Sequence, residues 1–126
     1  MGEVKTYFFD TYALIEISKG HKGYSDLLGD EVNIILTKLN LMELHYTLLR
    51  TLGEAEANRH YHKYRDFCVN IDDFAIKRAN EFKLRHKKRK LSYVDCLGYV
   101  IAKLRGVKFL TGDKQFANLD NVEFVK

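Results

Sequence analysis

Proline is absent from this 126-residue chain, and so are Gly/Ser-rich linkers, low-complexity stretches and internal repeats. Nothing marks a boundary between domains, so one domain spanning residues 1–126 is expected. There are two cysteines, Cys68 and Cys96, each in apolar surroundings and not in a metal or redox motif. Both are expected to be reduced, structural thiols, as in a cytoplasmic protein. No apolar run reaches the length of about 18 residues that a spanning helix needs, so no membrane partner is expected. The N-terminal residues lack the charged leader, apolar stretch and small-residue cleavage site of a secretory signal.

What remains is an ordinary globular composition, 46% hydrophobic and 30% charged. A chain of this size buries enough surface to fold without a disulfide or structural metal. The net charge is +4, which leans towards a polyanionic partner. The lean sharpens if Asp10, Glu43, Asp95 and Asp113 are set aside as a site, because 13 of the 17 acids are then left against 21 Lys and Arg. A basic body around an acidic pocket suits an enzyme that grips a phosphate backbone and cuts it with metal.

Val4–Phe9 has the apolar and aromatic pattern of a buried strand, and Val32–Leu36, Val107–Thr111 and Val122–Val125 follow it as further strands. Cys68–Ile71 is either a short strand or a connection. Helices are expected over Thr11–Ser18, from Asn40 to the break at Gly53, over Glu54–Phe67, Asp72–Lys88 and Ser92–Arg105, with a short one over Asp113–Leu119. Leu41, Leu44, Leu48 and Leu52 share one face of the second helix; Val94, Leu97, Ile101 and Leu104 are expected to face inwards on the helix that Gly106 ends. Gly20–Gly23 has the composition of a loop. Apolar strands alternating with helices predict a mostly parallel sheet of four to five strands between helical layers. In such a sheet, ligands bind along the edge formed by the strand C-termini.

Four acids fall on that edge: Asp10 after the first strand, Glu43 and Asp95 near helix starts, and Asp113 just beyond Thr111. Converging carboxylates raise one another's pKa and call for a counter-charge. Mg²⁺ or Mn²⁺, with oxygen ligands in octahedral geometry, meets that need. Such an ion activates water for in-line attack on a phosphodiester, and a second ion would stabilise the leaving oxygen. Asp10 and Asp95 are the expected core ligands, with Glu43 a ligand or water-orienting group and Asp113 completing the set. Each acid also has a purely structural reading. Asn40-x-x-Glu43 and Ser92-x-x-Asp95 resemble capping boxes, and Asp113 resembles an N-cap.

These residues resemble the motifs of the PIN-domain family. Phe8-Phe9-Asp10-Thr11-Tyr12-Ala13-Leu14 is similar to its opening motif, Glu43 to its second acid, Leu91-Ser92-Tyr93-Val94-Asp95-Cys96-Leu97-Gly98 to its third motif and Phe109-Leu110-Thr111-Gly112-Asp113-Lys114-Gln115-Phe116 to its closing motif. The four occur in order and span nearly the whole chain. The resemblance implies a PIN-like three-layer α/β/α fold and a metal-dependent ribonuclease, with RNA as substrate. It also implies that Thr11 and Thr111 support the site, beside Ser92 at the cap of the Asp95 helix. Stand-alone chains of this kind are often toxins of VapBC-type pairs, so a homodimer and a cognate antitoxin are further expected partners. Gly98 and Tyr99 depart from the small aliphatic residues more usual there, and Tyr12 sets a large side chain beside the first acid.

Lys83–Lys90 holds six Lys or Arg in eight residues. Lys87, Lys88, Arg89 and Lys90 are candidates to grip RNA phosphates near the pocket mouth; the alternative is a solvated helix end whose cations suit the dipole. His60 and His62 are two apart on a helix and cannot share one ion. Tyr61, Tyr64 and Arg65 on that helix suit RNA or a protein interface, and His45 is a candidate proton carrier. A haloacid-dehalogenase-type phosphatase would need an acid at position 12, where Tyr stands. The rival from another class is a non-catalytic RNA- or protein-binding module in which the acids only cap helices.

Overall fold

A computed structural model describes residues 3–126. Its strands are β1 (Lys5–Phe9), β2 (Val32–Ile35), β3 (Lys108–Thr111) and β4 (Val122–Phe124); its helices are α1 (Thr11–Ser18), α2 (Lys38–Leu52), α3 (Glu54–Arg65), α4 (Asp73–Arg85) and α5 (Tyr93–Leu104). The strands form one parallel sheet in the order β2-β1-β3-β4. β1 is central because its apolar residues serve both faces. Phe8 and Phe109 pack with α4 and α5, whereas Tyr7, Phe9 and Leu110 pack with α1, α2 and α3. Alternation along adjacent strands thus builds two separate cores, one on each side of the sheet. This is the expected three-layer α/β/α architecture, at the lower end of the expected strand count.

The register fixes the functional edge. Phe9 lies opposite Leu110, and Thr111 opposite Phe124. Asp10 continues β1 beyond that row, and its N–H donates to the Leu110 carbonyl at 3.2 Å. Cys68–Ile71 is a connection rather than a fifth strand: only Leu36 and Cys68 bridge, with the Val69 N–H donating to Leu36 at 2.8 Å.

Several helix bounds differ from the sequence pattern for local reasons. α2 starts before Asn40, because Thr37 is its N-cap and Asn40 occupies the reciprocal position of the capping box. α4 stops at Arg85 instead of running to Lys88. Its cap residue His86 packs on Phe82 with ring centroids 4.4 Å apart, and Lys87–Arg89 form a separate 3₁₀ turn. Lys90 then takes a left-handed φ of 58°. Asp113–Leu119 condenses to a 3₁₀ turn at Lys114–Phe116. Leu52 and Leu104, expected on inward faces, are 49% and 51% exposed, since each lies in the last turn of its helix.

α5 is buried nearly all round from Cys96 to Ala102, lying between α4 and the sheet. Gly98 is where it meets the stacked Phe8 and Phe109 rings, 5.7 Å apart. A Cβ there would lie 2.7 Å from Phe8 Cε1 and 3.2 Å from Phe109 Cε1. Tyr99 belongs to the same core, and its hydroxyl donates to the Asp120 carboxylate at 2.6 Å. Both departures at positions 98 and 99 are therefore matters of packing. Gly98→Ala gains helix propensity of about 1 kcal/mol but overpacks two immobile rings at a cost of roughly 1–3 kcal/mol. The expected net result is a lower urea midpoint with an unchanged m-value; a variant as stable as the parent would show that the rings yield.

Candidate active site

Asp10 is 2% exposed, and its Oδ1 caps α1 by accepting the Ala13 N–H at 2.7 Å. Burial pushes its carboxyl up to about 7; Thr111 and the Ala13 N–H pull the other way, while Asp95 and Asp113 add to the rise. Asp95 and Ser92 form a full capping box: Asp95 Oδ2 accepts the Ser92 N–H, and Ser92 Oγ accepts the Asp95 N–H, both at 3.0 Å. Asp95 is also raised by burial and by Asp113, with the Ser92 bonds and Lys83 opposing. Asp113 Oδ1 accepts the Gln115 N–H at 3.0 Å, and its own N–H donates to Thr111 Oγ1 at 3.0 Å. The capping roles are therefore real for Asp10, Asp95 and Asp113, and each cap occupies one carboxylate oxygen.

Glu43 differs, because it caps nothing. Its Oε1 accepts the Thr11 hydroxyl at 2.6 Å, and Thr11 Oγ1 in turn accepts Asn40 Nδ2 at 3.0 Å. Asn40, buried at 2% exposure, spends its carbonyl oxygen on the Thr37 N–H and hydroxyl. An Asn40–Thr11–Glu43 chain thus ties α2 to α1 and orients the carboxylate. Glu43 is raised by burial, with Thr11 opposing and Asp95 adding. The four acids accordingly share one electrostatic neighbourhood. Thr11, Thr111 and Ser92 each hydrogen-bond within it.

No salt bridge among the described residues involves any of the four acids. Lys83 acts on Asp95 alone among them; its ammonium is held by the Leu91 carbonyl at 2.5 Å and lies 4.8 Å from the Tyr93 ring centroid. The donor set is all carboxylate oxygen, which suits a hard divalent cation. As the side chains stand, no three His, Cys, Asp or Glu among the described residues converge tightly enough to hold an ion. Uncompensated like charges repel, so drawing them together is work the cation itself would do.

Other candidates lie elsewhere. His45 Nε2 pairs with Asn58 Oδ1 at 2.7 Å on the α2–α3 seam and does not face the acids. His60 is buried and His62 exposed, so they do not converge. Cys96 is core, its thiol pushed up to about 11 by burial. Within the basic run, Lys87, Lys88 and Lys90 are exposed, but Arg89 is committed to the Gln115 carbonyl at 2.9 Å and Asn118 Oδ1 at 3.2 Å. Tyr24 follows the expected loop Gly20–Gly23 and sits in a 3₁₀ helix over Lys22–Leu27 that overlaps it. It is buried beside Gly112 with no hydrogen-bond partner for its hydroxyl among the described residues, and Asp10 helps raise its pKa after burial itself.

The Asp10 shift has a thermodynamic sign. A carboxyl raised in the folded state binds more protons folded than unfolded, so stability falls as pH rises from about 4 to above 7. Without metal, Asp10→Asn is expected to raise Tm at pH 8 by roughly 5 °C, the gap closing towards pH 4. Thermal melts in EDTA across that range check this; a gap that does not change with pH would refute the buried-charge account.

Comparisons with known proteins bear on the fold and the family. The structure is similar to the toxin VapC20 of Mycobacterium tuberculosis, described as cleaving the sarcin-ricin loop, with TM-score 0.80 and 18% identity over 95% of this chain and 99% of that one. It is also similar to a chain of a toxin–antitoxin complex from Klebsiella pneumoniae, with TM-score 0.72 and 20% identity over 93% and 95%. VapBC-5 of Mycobacterium tuberculosis, a member of the VapBC family of toxin–antitoxin systems, gives TM-score 0.69 and 22% identity over 96% and 98%. No curated protein sequence matches the chain significantly. The PIN domain itself matches residues 7–122, from the central strand to the last one, and the chain therefore belongs to the PIN domain family.

Proposed function

We propose that the protein is a metal-dependent ribonuclease, acting as an endoribonuclease and as the toxin of a VapBC-type pair. The observation that carries this reading is the buried, raised carboxyl of Asp10 with the charges of Asp95 and Asp113 adding to the rise and, among the described residues, no salt bridge to relieve them. A non-catalytic scaffold has no use for that cost, whereas a hard cation converts it into affinity. Membership of the PIN family and the toxin folds that resemble this one support the same conclusion.

Asp10, Asp95 and Asp113 would hold Mg²⁺ or Mn²⁺, with Glu43 a further ligand or the group that orients water. The ion, once bound, supplies Lewis acidity towards water and the phosphate. The protein's own part is orientation. Ser92 and Ala13 fix one oxygen each of Asp95 and Asp10, and Thr11 holds Glu43 by one oxygen. The other oxygen of Glu43 is left to accept a proton from attacking water. Exposed Lys87, Lys88 and Lys90 would contact the RNA backbone, with Arg89 bracing the turn that presents them. In the VapBC reading, the chain pairs with a second copy and with an antitoxin segment that blocks the acids.

The test is cleavage of a structured RNA by purified protein with Mg²⁺, Mn²⁺ or EDTA. Asp95→Asn keeps a cap-forming side chain but lowers the charge, and a loss of at least about 100-fold is expected, equivalent to several kcal/mol of charge stabilisation. Cutting that persists in EDTA or in the variant would sink the mechanism. Separately, Lys87→Glu with Lys88→Glu should weaken RNA binding and shallow the slope of log affinity against log salt by about 2. An unchanged slope would remove these lysines from the interface.

A further inference from the structure

The chain has eight tyrosines, and the three with the most open rings all stand beside the acids. Tyr12 is 42% exposed, two residues after Asp10; Tyr46 is 65% exposed, one helical turn after Glu43; Tyr93 is 70% exposed, two residues before Asp95. Tyr7, Tyr24, Tyr64 and Tyr99 are buried, and Tyr61 is partly covered. Among the described residues, the exposed phenylalanines Phe67 and Phe74 lie elsewhere, but the exposed tyrosine rings, which pair an aromatic face with a hydroxyl, all stand next to the acids, on three different helices.

Each ring is set up locally. The Tyr12 ring passes over Gly112, where a Cβ would come within 2.8 Å of Tyr12 Cε1, so this glycine makes room for it. Tyr46 lines an open cleft of about 500 Å³ together with Thr11, Met42, Glu43 and Thr47. Tyr93 has one face covered by the Lys83 ammonium, itself held by the Leu91 carbonyl, which leaves the other face for a ligand. A ring with a fixed cation on one side and solvent on the other suits a flat, polarisable group carried on a polyanion.

We propose that Tyr12, Tyr46 and Tyr93 are stacking platforms for nucleobases on either side of the phosphate to be cut. The proposal rests on the nuclease reading of the acids. A base inside a duplex already has both faces covered, whereas an unpaired base offers a free face to an aromatic ring. An apolar protein surface fits less well, because the rings are separated by carboxylates whose charges it would have to cover.

The sequence contains no tryptophan, so Tyr12→Trp, Tyr46→Trp and Tyr93→Trp each introduce a single fluorophore at a platform. These variants would be titrated with single-stranded oligoadenylate and with an RNA duplex of equal length, in EDTA and in Ca²⁺. The expected result is quenching by the single strand at concentrations at least about 10-fold below those at which the duplex acts. In parallel, each Tyr→Ala variant should bind the single strand about 5- to 100-fold more weakly, while Tyr→Phe binds like the parent. Single-strand binding without quenching, or with alanine variants unimpaired, would overturn the stacking role and leave the nuclease reading intact. That pattern would hand the rings to a protein partner. Equal quenching by duplex would overturn stacking on free base faces. Failure to bind any RNA in either buffer would remove the nuclease reading and this proposal with it.

Discussion

Asp10 is a carboxyl held out of water at the end of the central strand, and much of the site is arranged around that burial. Its position is not negotiable, because Phe9 before it and Leu14 after it are both core residues of the α1–α2–α3 face. Its backbone N–H belongs to the sheet and one of its oxygens belongs to α1. Thr111 offsets part of the burial, and the nearby charges of Asp95 and Asp113 add to it in a region of reduced dielectric. Low dielectric makes like charges repel more strongly and makes a bound cation worth more. The same burial that strains the metal-free protein would therefore tighten its hold on an ion.

The two cores explain how such a cluster is kept in place. Asp10 and Glu43 hang from the layer of α1 and α2, whereas Asp95 hangs from α5 on the other face of the sheet. The relative placing of the acids is therefore set by the full thickness of the protein and not by any one local motif. Repacking either face would move two members of the set relative to the third, which gives Gly98 and the Phe8–Phe109 stack an influence on the site despite being buried away from it.

The acids at strand ends were legible because each follows a short apolar run that can only be a buried strand, and the alternation of strands with helices places those ends on one edge. Ser92 and Asp95 also gave their capping geometry away by spacing alone. The true start of α2 was not legible. Thr37 follows so closely on the apolar Ile34-Ile35-Leu36 that strand and cap merge in the sequence, and Asn40, which orients Glu43 through Thr11, passed for a helix start. Tyr24 was missed because the stretch between Gly23 and the strand at Val32 has no periodicity to say whether a single aromatic side chain is buried. The basic run passed for one helix because Lys and Arg are good helix formers; the stop at Arg85 comes from the packing of His86 on Phe82, a contact that propensity does not describe.

Arg89 has a consequence beyond the anchoring of its own turn. By reaching Gln115 and Asn118 it joins the segment leading into Ser92 and Asp95 to the segment following Asp113. Two carboxylates that repel one another are thus spanned by a strut on the outside of the pocket, which works like the frame of a calliper. The gap between those acids is gauged by a side chain that touches neither of them, and in the proposed metal site the size of ion accepted would become a property of the protein's outer surface.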